Sequence, residues 1–370
     1  MTPRVAVIGA GAGGLAVALR LLAAGCEVTV IERRDRVGGW LDRSVDGPFA
    51  WDTGPTTIDD QGPVRRLFDD VGRRFLTGGN LEHHAARPAL RPRRSWGAGL
   101  PGRPLSWPGF LASPSAAWRP AGGPAAVAVE MASAVATLGG RLVCADAADE
   151  IIVYGGRVRV VRTISGAEYA VDAVVANGDP IQTRRRLLRS TPRPFRTHVH
   201  RHRPGASSLI LRLGLDRRYP RLGPRTSIAG PEPLWLQAAI DPASAPDGGT
   251  ALSVVLPVPA GYGVDDPAAL GALRDRLIRF LELEVGLDGL QRAIVVEHRI
   301  GPAAVAEGFD SYRGSVFGSR PAGAGRGQTV RDPAIQGLFH VGSDVGGGNG
   351  LMGALRSAEV MARLVGGREP

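Results

Sequence analysis

Residues 4–33, RVAVIGAGAGGLAVALRLLAAGCEVTVIER, decide the fold of this chain. The apolar run from Arg4 to Ile8 predicts a short buried strand, and residues 12–24 have the helical spacing of apolar side chains that stops at Gly25. A second apolar run, Glu27 to Ile31, predicts a second strand. The segment is therefore a β-α-β unit, which predicts an α/β protein.

The turn of this unit has the glycine spacing of a dinucleotide-binding loop, with Gly9, Gly11 and Gly14 in the pattern G-x-G-x-x-G. The first glycine permits the tight turn, the second lets a pyrophosphate approach the backbone, and the third lets helix and strand pack closely. Glu32 ends the second strand and can accept hydrogen bonds from ribose hydroxyls. The alternative is a glycine-rich turn without a ligand, but the strand-turn-helix context with Glu32 favours dinucleotide binding.

The composition is that of a globular protein of about two domains, with 370 residues, 44% of them hydrophobic and 22% charged. All 45 basic residues are arginine, so Schiff-base lysine chemistry of the aldolase or pyridoxal-phosphate kind is excluded. Two cysteines are too few for a disulfide framework or a zinc site. We read no targeting segment and no transmembrane helix, which predicts a cytoplasmic protein.

The net charge of +10 comes mostly from one segment, because nine arginines and no acid lie between Asp179 and Asp216. We expect no nucleic-acid partner, since no nucleic-acid motif accompanies this charge. The part from Arg184 to Arg203 is either a solvated face, which we favour, or a peripheral contact with an anionic membrane or carrier. The alternating histidines of HVHRH, residues 198–202, are crowded by arginines, so we expect no metal site there.

Later motifs narrow the choice of dinucleotide. Gly38-Gly39 follows Glu32, WDTGPTT spans residues 51–57, WRPAGG spans 118–123 and SYRGSVFG spans 311–318. GLFHVGSD at 337–344 runs into three glycines and Leu351-Met352. In these motifs the chain resembles the phytoene-desaturase-like flavoproteins, a branch of the FAD-dependent amine-oxidase group. The resemblance covers nearly the whole chain, but around residues 60–117, where the family has a helical lobe over the substrate, this chain is shortened.

The resemblance implies non-covalently bound FAD and assigns its site. The glycine pair would admit the pyrophosphate from a second side, and the segment DTGPT at 52–56 would lie against the isoalloxazine ring. Trp40 stands where the family usually has arginine, so Arg33 or Arg43 is the candidate to replace that charge. The residues assigned to the cofactor are Gly9, Gly11, Gly13, Gly14, Glu32, Arg33, Gly38, Gly39, Trp40, Gly54, Pro55, Thr56, Ala148, Asn177, Gly342, Ser343, Asp344, Gly350, Leu351 and Met352.

The catalytic acid or base is not identified by any motif. His340 and Asp344, near the C-terminal flavin motif, are the candidates. His340 is either a proton carrier or a hydrogen-bonded strand histidine, and we favour the second interpretation.

The expected fold is α/β, with a discontinuous Rossmann-type FAD-binding domain and an inserted, reduced α+β substrate domain. The FAD-binding domain is assigned to residues 1–59, 118–190 and 330–370. The substrate domain is assigned to residues 60–117 and 191–329.

The function that the resemblance implies is dehydrogenation of a C–C bond in a hydrophobic isoprenoid, polyene or polyketide-like substrate, free or carrier-bound. Natural-product and carotenoid biosynthesis are both compatible, with oxygen or a quinone as final electron acceptor. The absence of lysine favours C–C desaturation over amine oxidation, whose enzymes often place a lysine beside the flavin. Two alternatives stay open. One is a flavin-dependent reductase, isomerase or cyclase, and the other is a non-catalytic flavin-binding subunit.

Overall fold

The computed structural model describes most of the chain. The described residues are 2–55, 58, 60–75, 82–84, 117–189, 202–228, 234–239, 241–263, 266–316, 319–321, 330–343, 345 and 350–365. Thr56, Asp344, residues 85–116 and the arginines at 193, 196 and 201 lie outside these ranges, as do the first two histidines of HVHRH.

Strands and helices alternate in the first part of the chain, and strands dominate the later part. The strands are β1 (Arg4–Ile8), β2 (Glu27–Ile31), β3 (Arg43–Asp46), β4 (Phe49–Asp52), β5 (Glu82–His84), β6 (Ala117–Arg119), β7 (Arg141–Val143), β8 (Ala148–Tyr154), β9 (Arg157–Thr163), β10 (Glu168–Ala170), β11 (Ala173–Ala176), β12 (His202–Pro204), β13 (Ser207–Leu215), β14 (Thr226–Ile228), β15 (Leu234–Ala238), β16 (Thr250–Val258), β17 (Ile294–Ile300), β18 (Ser319–Pro321) and β19 (Leu338–His340). The helices are α1 (Ala12–Ala23), α2 (Gly62–Asp69), α3 (Pro124–Thr137), α4 (Pro180–Gln182), α5 (Pro267–Leu283), α6 (Leu290–Ala293), α7 (Pro302–Phe309) and α8 (Gly350–Val365).

The first sheet is parallel, in the order β19-β11-β1-β2-β7. It confirms the expected β-α-β unit and the α/β class. Helices α1, α3 and α8 pack together on one face, where Leu15, Met131 and Leu355 share a core with the strand residues Val7 and Val30. The strand order reverses at β1, with β2 and β7 on one side and β11 and β19 on the other, and such a switch point is where open α/β sheets bind ligands.

A three-stranded sheet, β10-β9-β8, covers the other face of the parallel sheet. The apolar run from Tyr169 to Ala176 would suggest one strand, but it is divided between two sheets. The chain leaves β10 at Ala170 and enters β11 in the parallel sheet at Ala173. Between them, the Asp172 carboxylate accepts a hydrogen bond of 2.9 Å from the backbone N–H of Arg4. The break therefore carries the chain from one sheet to the other.

The second large sheet is antiparallel, in the order β14-β15-β16-β13-β17. Successive side chains of a strand point to opposite faces of the sheet. One face of β13 therefore carries Leu209, Leu211, Leu213 and Leu215, which pack into a core with α5. Helix α5 begins at Pro267, with the Asp266 carboxylate accepting a hydrogen bond of 3.1 Å from the N–H of Ala269. The opposite face of this sheet is turned toward the parallel sheet.

Two segments depart from the expected domain limits. Helix α2 packs through Val64, Leu67 and Phe68 into the core under α1, so residues 60–75 belong with the nucleotide-binding half and not with the substrate domain. The β3-β4 hairpin does the reverse. Trp51 packs against the antiparallel sheet, and its Nε1 donates a hydrogen bond of 3.2 Å to the carbonyl of Leu213. The hairpin therefore joins the two halves.

None of the helices in the described ranges is long and apolar enough to cross a bilayer.

Candidate functional site

A cleft of about 750 Å³ lies between the switch point of the parallel sheet and the free face of the antiparallel sheet. Its nucleotide half is formed by the turn after β1, the end of β2 and the first turn of α8. Its other half is formed by residues of β13, β15 and β16. Of the residues assigned to the cofactor, those that line it are Gly9, Gly11, Gly13, Glu32, Arg33, Gly38, Gly39, Trp40, Gly54, Pro55, Ala148, Asn177, Gly342, Ser343, Gly350, Leu351 and Met352.

The glycine turn has no room for side chains. Gly9 has φ +97°, which favours glycine, and a Cβ on Gly14 would lie 2.0 Å from the Gly9 carbonyl oxygen. A Cβ on Gly13 would lie 2.7 Å from Oδ1 of Asn177, whose Nδ2 donates a hydrogen bond of 3.3 Å to the Gly9 carbonyl. Gly14 thus packs behind the turn, while the other glycines present bare backbone to the cleft. Such a cradle fits a pyrophosphate.

Glu32 is buried at the end of β2, with its carboxylate directed by two backbone donors. Its Oε2 accepts a hydrogen bond of 2.8 Å from the N–H of Ala10, and its Oε1 accepts one of 2.9 Å from the N–H of Arg34. Each carboxylate oxygen has a second lone pair, so the group can still accept ribose hydroxyls. The carboxylate therefore fits an adenosine ribose and also ties β2 to the glycine turn.

Replacing Glu32 with alanine is expected to weaken FAD binding by about 10- to 150-fold, the effect of losing hydrogen bonds of about 1.5–3 kcal/mol to a charged group. Because two backbone donors also lose their acceptor, the midpoint of thermal unfolding should fall as well. Equilibrium dialysis against FAD measures the affinity. Glu27→Ala changes an exposed glutamate at the start of the same strand and should leave both values unchanged. Unaltered FAD affinity in Glu32→Ala would remove Glu32 from the site.

The glycine pair lies against the first turn. The N–H of Gly38 donates a hydrogen bond of 2.9 Å to the Ala10 carbonyl, and Gly38 has φ +120°. Arg34 closes this corner by donating to the Gly39 carbonyl at 3.1 Å and to Asp42 at 3.0 Å. A second layer of bare backbone therefore faces the same corner of the cleft.

Of the two arginines that could supply a charge near Trp40, Arg33 lines the cleft and Arg43 is not among the lining residues. Arg33 lines the cleft and donates a hydrogen bond of 3.1 Å to the Glu307 carbonyl, whereas Arg43 points away and donates to Ser244 at 2.7 Å. Trp40 stacks on Phe309, with ring centroids 3.7 Å apart and planes 8° from parallel. These two rings form an apolar wall of the cleft.

Four further arginines line the cleft, and none of them was assigned to the cofactor from the sequence motifs. They are Arg34, Arg186, Arg189 and Arg356. In a chain with 45 arginines, composition gave no means of selecting them.

The basic segment is largely neutralised where it is described. Arg184 contacts Asp332, Arg186 donates a hydrogen bond of 2.5 Å to Asp310, and Arg189 donates one of 2.8 Å to Asp149. Three of the four arginines at 184–189 are therefore paired with carboxylates, and only the Arg184–Asp332 pair is buried.

His340 lies in β19 behind the cleft and does not line it. It is 3% exposed, and its Nε2 lies 3.2 Å from Oδ2 of Asp332. Burial opposes ionisation of Asp332, but the hydrogen bond to His340 and the charge of Arg184 hold the pKa of Asp332 below its usual value. These contacts support the interpretation of His340 as a hydrogen-bonded strand residue.

Asp52 is a buried carboxylate at the cleft. Its Oδ2 accepts a hydrogen bond of 2.6 Å from Nη1 of Arg119, and the two side chains are 6% and 7% exposed. Burial raises the pKa of Asp52, and the charge of Arg119 acts in the opposite direction. The pair links the Asp52–Pro55 segment to the turn before α3.

Comparison with known proteins agrees with this geometry. A family model described as an NAD(P)-binding Rossmann-like domain matches residues 7–71. The phytoene desaturase (lycopene-forming) of Pseudescherichia vulneris is 25% identical over 98% of this chain and 99% of that protein. The chain is similar to the phytoene desaturases over nearly its whole length, and it is an FAD-dependent oxidoreductase. The alignment runs over 490 positions, so its desaturase relative has segments that this phytoene-desaturase-like chain of 370 residues lacks.

Two further matches extend the comparison. The 4,4'-diapolycopene oxygenase of Methylomonas sp is 24% identical to this phytoene-desaturase-like protein over 94% of the chain and 95% of that protein. The crystal structure of an oxidoreductase from Methanosarcina mazei superimposes with a TM-score of 0.69 at 16% identity, covering 97% of this chain and 99% of that one. The Methanosarcina mazei structure therefore shares the fold of this chain.

Proposed function

We propose that this protein dehydrogenates a C–C bond of a hydrophobic isoprenoid, polyene or polyketide-like substrate. The observation that carries the proposal is the continuity of the cleft from the glycine turn to the antiparallel sheet. One end fits a dinucleotide and the other presents apolar side chains. FAD, when bound, supplies the acceptor for a hydride that leaves one substrate carbon while a proton leaves the adjacent carbon.

The chain's own residues bind, orient and exclude water. Trp235, Ile210 and Val255 form a buried apolar patch with Trp40 on the wall of the cleft. Packing against this patch and the Trp40-Phe309 stack would hold an apolar chain in a dry site. The names of the relatives, phytoene desaturase and diapolycopene oxygenase, support an unsaturated hydrocarbon skeleton. The shorter chain supports a smaller or carrier-presented substrate.

The cofactor prediction is tested on purified protein by denaturation and chromatography. We expect a yellow protein that releases FAD in about one equivalent, because no cysteine or histidine occupies an attachment motif. Release of FMN or NAD, or flavin that stays on the peptide, would contradict non-covalent FAD.

The reaction is tested anaerobically by following the flavin absorbance after addition of polyene or polyketide substrates. Bleaching of the flavin together with a new substrate double bond supports dehydrogenation. Turnover without net flavin reduction would identify an isomerase or cyclase. A bound flavin that no substrate reduces would favour a non-catalytic subunit.

A further inference from the structure

Residues 302–314, the flap, form one edge of the cofactor cleft and consist of α7 and the turn that follows it. The flap residues that line the cleft are Gly308, Phe309, Asp310 and Ser311. The two ends of the flap meet, because a Cβ on Gly314 would lie 2.1 Å from the carbonyl oxygen of Pro302. A segment of this length whose ends are in contact has the form of an Ω-loop, and such loops are frequently functional.

The base of the flap is fixed by buried contacts. Val305 is fully buried, and α7 packs on β13 and β17 of the antiparallel sheet. Near the other end, the N–H of Gly261 donates a hydrogen bond of 2.9 Å to the carbonyl of Arg313. The N–H of Tyr312 donates one of 2.8 Å to the buried carboxylate of Asp179. The base is therefore anchored independently of any ligand.

The tip of the flap reaches the nucleotide half through side chains at the protein surface. Nη2 of Arg33, an exposed residue, donates a hydrogen bond of 3.1 Å to the carbonyl of Glu307 and contacts the carbonyl of Gly308. These carbonyls lie at the C-terminal end of α7, where a guanidinium is favoured. Phe309 supplies the stack on Trp40. The tip is thus fastened to the two residues that directly follow the strand-end glutamate and the glycine pair.

Asp310 makes the third contact of the tip. Its Oδ1 accepts hydrogen bonds of 3.1 Å from Nε2 of Gln182 and 2.5 Å from Nη1 of Arg186. The carboxylate and the guanidinium are 35% and 61% exposed, and such exposed ion pairs add little to stability. Asp310 has φ +49° and Arg313 has φ +55°, which is an unfavourable conformation for both. Residues in such conformations cluster in ligand clamps and switch segments.

We propose that the flap opens at its tip to admit FAD and closes over the bound cofactor. Its base is buried, whereas its tip is held by exposed hydrogen bonds and one aromatic stack, and segments held in this way open locally at low cost. With the tip contacts made, the flap spans the nucleotide end of the cleft, so it controls the rate of cofactor exchange. The inference goes beyond the proposed function, because it holds for any substrate.

The test compares FAD exchange in the wild type and in Phe309→Ala. If FAD enters and leaves only through the open form, weakening a contact within the protein raises the association and dissociation rates by the same factor. We expect both rates to rise by about 2- to 12-fold, the range for one aromatic pair, while Kd stays nearly constant. Stopped-flow flavin fluorescence with the apoprotein gives the association rate, and dilution of the FAD-loaded protein gives the dissociation rate.

Two further variants control the experiment. Phe309→Tyr keeps the stacked ring and should return both rates to those of the wild type. Glu307→Ala removes an exposed side chain from the same turn of α7 and keeps the carbonyl that Arg33 contacts, so both rates should stay unchanged.

Faster dissociation alone in Phe309→Ala would make Phe309 a direct contact of FAD and would overturn the gate. Rates equal to those of the wild type would overturn it as well. FAD exchange is measured without turnover, so a protein whose flavin no polyene reduces keeps the gate and loses the dehydrogenase.

Discussion

Replacing Gly14 with alanine is expected to give a colourless protein whose free energy of unfolding is lower by about 3 kcal/mol, the upper part of the usual range for overpacked sites. The added Cβ would lie 2.0 Å from the Gly9 carbonyl oxygen, which is backbone and cannot rotate away. Either α1 moves off β1 or the turn opens. Both changes displace the backbone donors that the cleft offers to a pyrophosphate.

Chemical denaturation and the flavin-to-protein absorbance ratio measure this effect. Gly271→Ala is the matched control, since Gly271 lies in helix α5, where an added Cβ would have no atom within 4 Å outside that helix's own backbone. Alanine there should raise the free energy of unfolding by about 0.5–1 kcal/mol. A Gly14→Ala protein that is yellow and as stable as the wild type would refute the close packing of α1 on the turn.

Replacing Arg119 with methionine is expected to lower the free energy of unfolding at pH 7 by about 3–5 kcal/mol, the usual cost of leaving one partner of a buried ion pair alone. Asp52 would keep its burial and lose the charge that opposes it, so its pKa in the folded state would rise further above the unfolded value of about 3.9. The folded state then binds the proton more readily than the unfolded state.

The raised pKa of Asp52 makes the stability of Arg119→Met depend on pH. A group whose folded-state pKa is raised stabilises the fold below the unfolded pKa, and that stability is lost as pH rises through the folded value. The penalty should therefore be full at pH 7 and shrink as the pH is lowered, which urea denaturation at several pH values measures. Adding Asp52→Asn should recover much of the loss at pH 7. A penalty independent of pH and unaffected by Asp52→Asn would assign the effect to lost packing instead.

Local patterns predicted the parts of the fold that depend on neighbouring residues. The β-α-β unit lies where the apolar spacing of residues 4–31 places it, and α5 follows Asp266, whose side chain caps it. Non-local pairing decided the rest. The change of sheet at Asp172 depends on contact with Arg4, and the placement of α2 depends on the core under α1.

The cofactor half of the site was legible because glycine spacing and a strand-end glutamate are local signals. The Asp52-Arg119 pair joins residues 67 positions apart, and no sequence pattern predicts a contact at that separation.

The parallel sheet also determines when the nucleotide-binding half can assemble during translation. Helix α1 packs against α8, and β1 reaches β19 only through β11, so the nucleotide-binding half is assembled from the first and last parts of the chain. Ribosomes add about 5–20 residues per second, so α1 waits on the order of tens of seconds before α8 emerges. During that time α1 can pack only against elements made before α8, such as β2, α2 and α3. Gly342, whose N–H donates a hydrogen bond of 3.0 Å to Ser357 on α8, arrives equally late. Flavin capture should therefore follow the synthesis of α8, and the shorter nascent chain is the form most exposed to aggregation.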